Sequence, residues 1–255
     1  MSLGRIFNDN SFEVLRDIAN ECRNPVLVTD PPFNINYHYR SYADNLLDDE
    51  YFSSLSQMFS EYPSVVIHYP EQLHRLSMEM GISPTKVVAW VYNANTAKQH
   101  RDIAFYGVKP DFELVRRPYK DYKDKRVAKL ALRTGGARSY DWISYPQVKN
   151  KSPEKTIHPC QMPLAVMEDV IGWLGNIEDM TVIDPFAGSG TTVVACERLG
   201  IPWIAIEIDD VYCNLIERRI LSAGRKEPDR FYTDPQEAKS ISSDSEMALQ
   251  QQLPM

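Results

Sequence analysis

The chain has 255 residues, 43% of them hydrophobic, and a formal net charge of −7; this length suits one α/β domain carrying an inserted recognition region, or two small domains. No apolar run reaches the roughly 18 residues of a membrane span, and the N-terminal MSLGRIFNDN lacks the apolar core of a secretory signal. The cysteines (Cys22, Cys160, Cys196, Cys213) are scattered with no C-x-x-C pair, which argues against a zinc site or a disulfide framework and fits a reducing cytoplasm.

Helical spacing of Leu15, Ile18 and Ala19 predicts a helix over Phe12–Cys22. Pro25–Asp30 follows as a strand, and Asn34–Asn45 as a polar, aromatic loop. Phe52, Leu55, Met58 and Phe59 predict a helix over Asp48–Glu61. Ser64–Tyr69 reads as a strand, Glu71–Met80 as a helix and Lys86–Tyr92 as a strand. Residues 93–155 carry no clear period. Pro163–Leu174 suits a helix with proline in its first turn. Thr181–Asp184 is then a strand, and Thr191–Leu199 a helix with Gly200 as its C-terminal cap. Pro202–Glu207 closes the pattern as a strand and Val211–Ala223 as a helix. Such alternation is the signature of a doubly wound, mostly parallel sheet. Residues 225–255 are polar, with SISSDSE and QQQ, and read as a disordered tail to a domain spanning 1–224.

Charge is unevenly distributed. Between Arg116 and Lys155 there are 12 Lys+Arg against 4 Asp+Glu, whereas the rest of the chain has 16 against 31. The basic block also holds Tyr119, Tyr122, Tyr140, Trp142 and Tyr145. It reads as a nucleic-acid surface on an acidic body; the competing reading is a solvated surface loop.

Two short stretches carry chemistry. Asp30-Pro31-Pro32-Phe33 ends the strand Val26-Leu27-Val28-Thr29. Prolines stop a ladder and fix φ, so the tetrapeptide is a stiff platform at a strand's C-terminal edge, where α/β sheets bind ligands. A carboxylate and the Pro31 carbonyl can accept both hydrogens of one amino group while the ring stacks on a planar base. That suits methyl transfer to an exocyclic amine. The second stretch, Asp184-Pro-Phe186-Ala187-Gly188-Ser189-Gly190-Thr191-Thr192, is a glycine-rich turn opening a helix. No lysine follows Gly190, so it is no P-loop. Val193 stands where a dinucleotide fingerprint needs a third glycine. A zwitterionic amino-acid end fits better, with Asp184 meeting an ammonium. Glu207 ends the next strand, roughly 20 residues on, where an acid commonly binds ribose hydroxyls. Ribose plus an amino-acid end describes S-adenosylmethionine.

With His158-Pro159-Cys160-Gln161-Met162-Pro163 and Ile206-Glu-Ile-Asp209, these motifs resemble the amino-methylating DNA methyltransferases, which make N6-methyladenine or N4-methylcytosine. The order, catalytic tetrapeptide first, is similar to the β-type permutation. Asn8-Asp9-Asn10 and Val88-Ala-Trp90 are weaker matches. The resemblance implies a Rossmann-like methyltransferase fold, S-adenosylmethionine as donor with no metal, and double-stranded DNA as partner. It further implies a recognition region in 93–155, a homodimer, and a bacterial or phage-infected cytoplasm. Catalysis would fall to Asp30, Pro31, Pro32 and Phe33. The cofactor would be held by Asp9, Asp30, His158, Pro159, Gln161, Asp184, Phe186, Ala187, Gly188, Ser189, Gly190, Thr191, Thr192 and Glu207. Met162 replaces a common lysine, and Phe33 a common tyrosine.

Asp30 in the first position favours adenine N6, with cytosine N4 as the alternative; RNA or protein amino-group enzymes usually place the motifs in the opposite order. A non-catalytic DNA-binding protein would show a broken motif, and none is broken. Pro159-Cys160-Gln161 also occurs in covalent cytosine-C5 enzymes, but that reading leaves the Asp30 platform unused; Cys160 reads as a partly buried filler. The base must be flipped out of the duplex, stacking on Phe33 with Tyr37 and Tyr39 as candidates to close over it. His38, His68, His74 and His100 have no metal-ligand spacing.

Overall fold

A computed structural model of the protein describes residues 3–37, 39, 41–42, 44–119 and 123–223. The 225–255 segment, His38 and Tyr122 lie outside the described residues.

Strands β1 (Gly4–Asn8), β2 (Asn24–Thr29), β3 (Ser64–His68), β4 (Lys86–Val91), β5 (His100–Tyr106), β8 (Trp142–Ser144), β9 (Met180–Asp184) and β10 (Trp203–Glu207) form one sheet. Their order is β1-β10-β9-β2-β3-β5-β4-β8. All pairs are parallel except those of β5, which runs against both β3 and β4. The doubly wound expectation therefore holds, with β1 an element the sequence reading did not assign.

Side-chain alternation along the strands builds two cores. Leu27, Val66, Ile183 and Ile206 face α1 (Ser11–Asn20), α2 (Asp48–Glu61) and α3 (Pro70–Met80). Val26, Val28, Val65 and Val182 face α5 (Leu164–Gly172), α6 (Thr191–Leu199) and α7 (Asp210–Ala223). Burying one fully enclosed Val, Leu or Ile contributes about 1.5–3 kcal/mol, so both faces of the sheet drive the fold. Helix α5 starts at Leu164 because Pro163 serves as its N-cap, one position before the expected first turn.

The centre of the sheet positions the site. Chain β9 leads through α6 to β10 on one side, and β2 leads through α2 to β3 on the other. Adjacent strands whose connections depart in opposite directions leave a crevice at their C-terminal ends. The tetrapeptide Asp30–Phe33 leaves β2 there, and the turn 185–190 leaves β9.

The unassigned region 93–155 contains β5 and β8 of the main sheet and a small excursion: β6 (Arg116–Arg117), α4 (Lys125–Thr134) and β7 (Ala137–Arg138). Strands β6 and β7 pair antiparallel. Asp124 caps α4 by accepting from the Arg126 N–H, and Gly135 ends it in the left-handed conformation. No residue of α4 is buried. Lys125, Arg126, Lys129 and Arg133 are exposed on it.

Candidate active site

A cleft of about 570 Å³ opens at the β2/β9 boundary. Asp30, Pro31, Pro32 and Phe33 form one part of its wall, while Asp184, Phe186, Ala187, Gly188, Ser189, Thr191, Thr192 and Glu207 form another. Two motifs 155 residues apart in sequence are joined directly, because Thr29 Oγ1 donates to Asp184 Oδ1 at 2.7 Å.

The cofactor half is built around the turn after β9. Gly188 (φ 50°) and Gly190 (φ 76°) take left-handed conformations that side chains disfavour. A Cβ on Gly188 would lie 2.9 Å from His158 Nε2. The turn is thus held flat against the cleft, and the α6 N-terminus, whose first N–H groups lack intrahelical acceptors, faces it. Glu207 braces the turn: its oxygens accept from Gly188 N at 2.7 Å and Asp209 N at 2.9 Å. Asp184 accepts from the Thr29 and Thr192 hydroxyls and from Phe186 N. Burial pushes its carboxyl above the ordinary range, against those three donors. Its first task is therefore to shape the turn. His158 packs edge-on against Tyr212 at 4.6 Å. Its Nδ1 is buried, and burial lowers its pKa to about 4. The ring is therefore neutral.

Four expected cofactor contacts do not reach the cleft wall. Asp9 is exposed because its backbone continues the β1–β10 ladder through Asp9 N–H to Glu207 O, and its side chain accepts from Asn10 N. Asn10, Ser11 and Phe12 line the cleft in its place. Gln161 is turned inward, accepting from Thr156 and donating to Glu154 O. Pro159 presents its carbonyl to Lys155 Nζ. Gly190 packs against Ile216 beneath the turn. Cys160, expected to be partly buried, is exposed.

The tetrapeptide half has its own support. Tyr51 Oη donates to the Pro32 carbonyl at 2.6 Å and lies 3.0 Å from His68 Nε2. His68 Nδ1 accepts from Tyr69 N, which leaves the proton on Nε2. Burial and nearby Arg101 and Lys98 lower the His68 pKa to about 3, so this chain of bonds is neutral. It pins Pro32 while, among the described residues, no hydrogen bond ends on the Pro31 carbonyl. Asp44 organises the following loop by accepting from the N–H groups of Asn34, Ile35 and Tyr37. Tyr37 and Tyr39, 5.0 Å apart, both line the cleft.

Arg101, which the sequence reading missed, completes the site. Because β5 runs antiparallel, its first residues lie where β3 ends, with His68 paired to Asp102. Arg101 Nη1 lies 3.3 and 3.5 Å from the Asp30 oxygens and 3.4 Å from Met162 Sδ. The cation beside the Asp30 carboxylate thus comes from β5, next to the position where Met162 replaces lysine. Burial raises the Asp30 pKa to about 6, with Arg101 lowering it and Asp184 raising it. Phe33 was expected to offer a free stacking face. Instead His68 stacks on it at 4.3 Å, and the Arg101 guanidinium lies over the ring at 4.5 Å.

Comparison with known proteins agrees with this geometry. The DNA methylase family profile of N6/N4 enzymes matches residues 26–218. The chain is 25% identical to the type II methyltransferase M.HpaI of Haemophilus parainfluenzae, over 85% of this chain and 74% of that one. It is 26% identical to M.ScaI of Streptomyces caespitosus, over 84% and 80% respectively. In fold it is similar to the cytosine-N4-specific PvuII DNA methyltransferase, with a TM-score of 0.60, 16% identity, and coverage of 94% of this chain and 91% of that one. An S-adenosylmethionine complex of M1.HpyAVI gives a TM-score of 0.53 at 24% identity, covering 85% of this chain and 99% of that one. A tetrapeptide and a glycine turn facing each other across one crevice, together with a match over most of its length, show that the chain belongs to the N6/N4 DNA methylase family.

Proposed function

We propose that this DNA methyltransferase transfers a methyl group from S-adenosylmethionine to the exocyclic N6 of a flipped-out adenine. The observation that carries this reading is the position of Asp30. Its carboxylate and the Pro31 carbonyl stand on the wall of the same cleft as the glycine turn.

The residues present fit the donor. The flat Gly188 turn and the α6 N-terminus suit its carboxylate end, and Glu207, braced by two backbone N–H groups, keeps lone pairs for ribose hydroxyls. When bound, S-adenosylmethionine supplies an electrophilic methyl group. The chain's residues do the rest. An exocyclic amine is a weak nucleophile because its lone pair is delocalised into the ring. Asp30 and Pro31 each accept one N–H, which orients the nitrogen lone pair towards the donor side of the cleft. Ionised Asp30 also favours the positive charge developing on nitrogen. The Tyr51–His68 pair keeps the platform from recoiling. The relatives are type II methyltransferases, so we read this chain as the modification enzyme of a restriction–modification system.

The test is methyl transfer from labelled donor to unmethylated duplex DNA, followed by nucleoside mass spectrometry. N6-methyladenine is the expected product. N4-methylcytosine would change the base while leaving the cleft and its roles intact. Absence of product on DNA would sink the reading. Asp30→Ala is expected to lower transfer by about 10²–10³-fold with donor binding retained; full activity would remove Asp30 from the chemistry.

A further inference from the structure

We infer that the Arg101 guanidinium occupies the base position of the DNA-free enzyme and that the target base enters by displacing it. This rests on the proposed function, since it names what happens at that same platform when a base arrives.

The argument begins with Phe33. Tyr69 meets its ring edge-on at 5.1 Å, His68 stacks on it at 4.3 Å, and the Arg101 guanidinium carbon lies over it at 4.5 Å from the centroid; two flat groups that close to one centroid do not share a face, so they take opposite ones. A base that stacks on this ring needs one of those faces. His68 cannot yield. It is 1% exposed, and both of its ring nitrogens are engaged, by Tyr69 N and Tyr51 Oη. Only the Arg101 face is available.

Arg101 is held in a way that permits departure. Its contacts to Asp30, at 3.3 and 3.5 Å, are well beyond the roughly 2.7–2.9 Å of a tight charge-assisted bond. Its Nε is buried without a partner. The remaining neighbours are the sulfur of Met162, the faces of Tyr69 and Trp90, and the Tyr92 hydroxyl, a neutral hydrogen-bond partner; beyond Asp30 none of them offers a charge-assisted bond.

The chemistry of the occupant matches that of the visitor. A guanidinium is flat, stacks on aromatic rings, and presents N–H donors in its plane. An aminated heterocycle has the same three properties. Arg101 thus makes, in the free enzyme, the two interactions the target base makes later: a plane on Phe33 and N–H groups on Asp30. The exchange also selects. A base with an exocyclic amine replaces the lost donors on Asp30. A base without one leaves a buried carboxylate unpaired, and such a group is costly. Arg101 therefore acts as a positioning residue that makes entry conditional on an amino group.

The exchange is read through Asp30. The titratable and charged groups around it are Arg101, Asp184, Tyr39, Tyr51, Tyr92 and Cys160. The acid limb of kcat/KM reports the free enzyme, and that of the single-turnover rate reports the bound complex. In Arg101→Gln the kcat/KM limb is expected to move up by about one to two pH units, as loss of an adjacent opposite charge requires. The single-turnover limb should stay in place, because Arg101 has already left. If both limbs move together, Arg101 remains on Asp30 with the base in place, and the inference is overturned. If neither moves, Arg101 does not guard Asp30 at all, which also overturns it. Donor affinity reports whether the variant is folded. Should Arg101→Gln fail that check, Arg101→Lys is compared with wild type on duplexes carrying 2-aminopurine beside the target adenine, where emission rises when the adenine leaves the stack. Higher emission supports displacement, since lysine keeps the charge and loses the plane; equal or lower emission overturns it. Wild-type enzyme that methylates no DNA would instead remove the function on which the inference rests.

Discussion

Asp30 is the residue to which the proposed function gives the chemistry, and its environment sets a pH limit. A carboxyl ordinarily ionises near 3.9; here burial raises that to about 6. In the proposed reaction only the ionised form both accepts the base's N–H and favours the charge developing on nitrogen. Because the pKa is raised, the ionised fraction is full well above pH 6 and is lost as pH falls through that value. The expected outcome is a kcat/KM that declines about tenfold per pH unit below 6, measured by steady-state transfer between pH 5 and 8. A limb near 4 would mean that the carboxyl is not desolvated in solution. At this scale the sequence was informative where chemistry is local. Asp30, Pro31, Pro32 and Phe33 are consecutive, so one strand end positions all four. Arg101 was invisible for the opposite reason. It reaches Asp30 only because an antiparallel strand brings it there, and nothing in the residues around it signals that reversal. Asp9 lies just past the end of β1, where its carboxylate accepts from Asn10 N and stays off the cleft wall, a local turn that a short motif does not reveal.

Among the elements, the β9–turn–α6 unit was the most legible. A strand, two glycines with positive φ and a helix start are dictated by local backbone preferences, and the structure has all three. Its weak point is Gly188. Adding a methyl group there both strains φ 50° and drives a Cβ to 2.9 Å from His158 Nε2. His158 is wedged against Tyr212 and has little room to retreat. Gly188→Ala is expected to destabilise the fold by about 1–3 kcal/mol in urea unfolding. Donor affinity should fall at least tenfold by calorimetry, since the turn is part of the cleft wall. Wild-type values for both would mean that the turn relaxes freely. The elements of 93–155 were not legible because their order has no regular alternation. Strand β5 reverses direction, β6 and β7 have two residues each, and α4 buries none of its side chains. Helix α4 did carry a helical period, with Val127, Leu130 and Ala131 on one face, and the sequence reading passed over it.

Taken as a whole, the molecule separates charge from mass. The basic excursion projects α4, with Lys125, Lys129 and Arg133 exposed at helical spacing, from an acidic body. Reversing all three to Glu is expected to weaken DNA binding, and to flatten its salt dependence by about three phosphate contacts' worth of slope. Affinity for the methyl donor should not change. Fluorescence anisotropy over a salt series measures this, and an unchanged slope would remove α4 from the DNA surface. The doubly wound architecture was legible because strand–helix alternation survives in both halves; how those halves interlock was not. Strand β2 pairs with β9, and β1 pairs with β10, each across most of the described chain. The sheet is therefore zipped at its middle and at one edge by segments that leave the ribosome far apart in time. Non-local pairing of this kind slows folding and leaves strand edges bare while synthesis continues. Strand β2 waits for residues 180–184 before its second edge is covered, so the nascent chain carries the strand that leads into Asp30–Phe33 with one open edge through most of its translation.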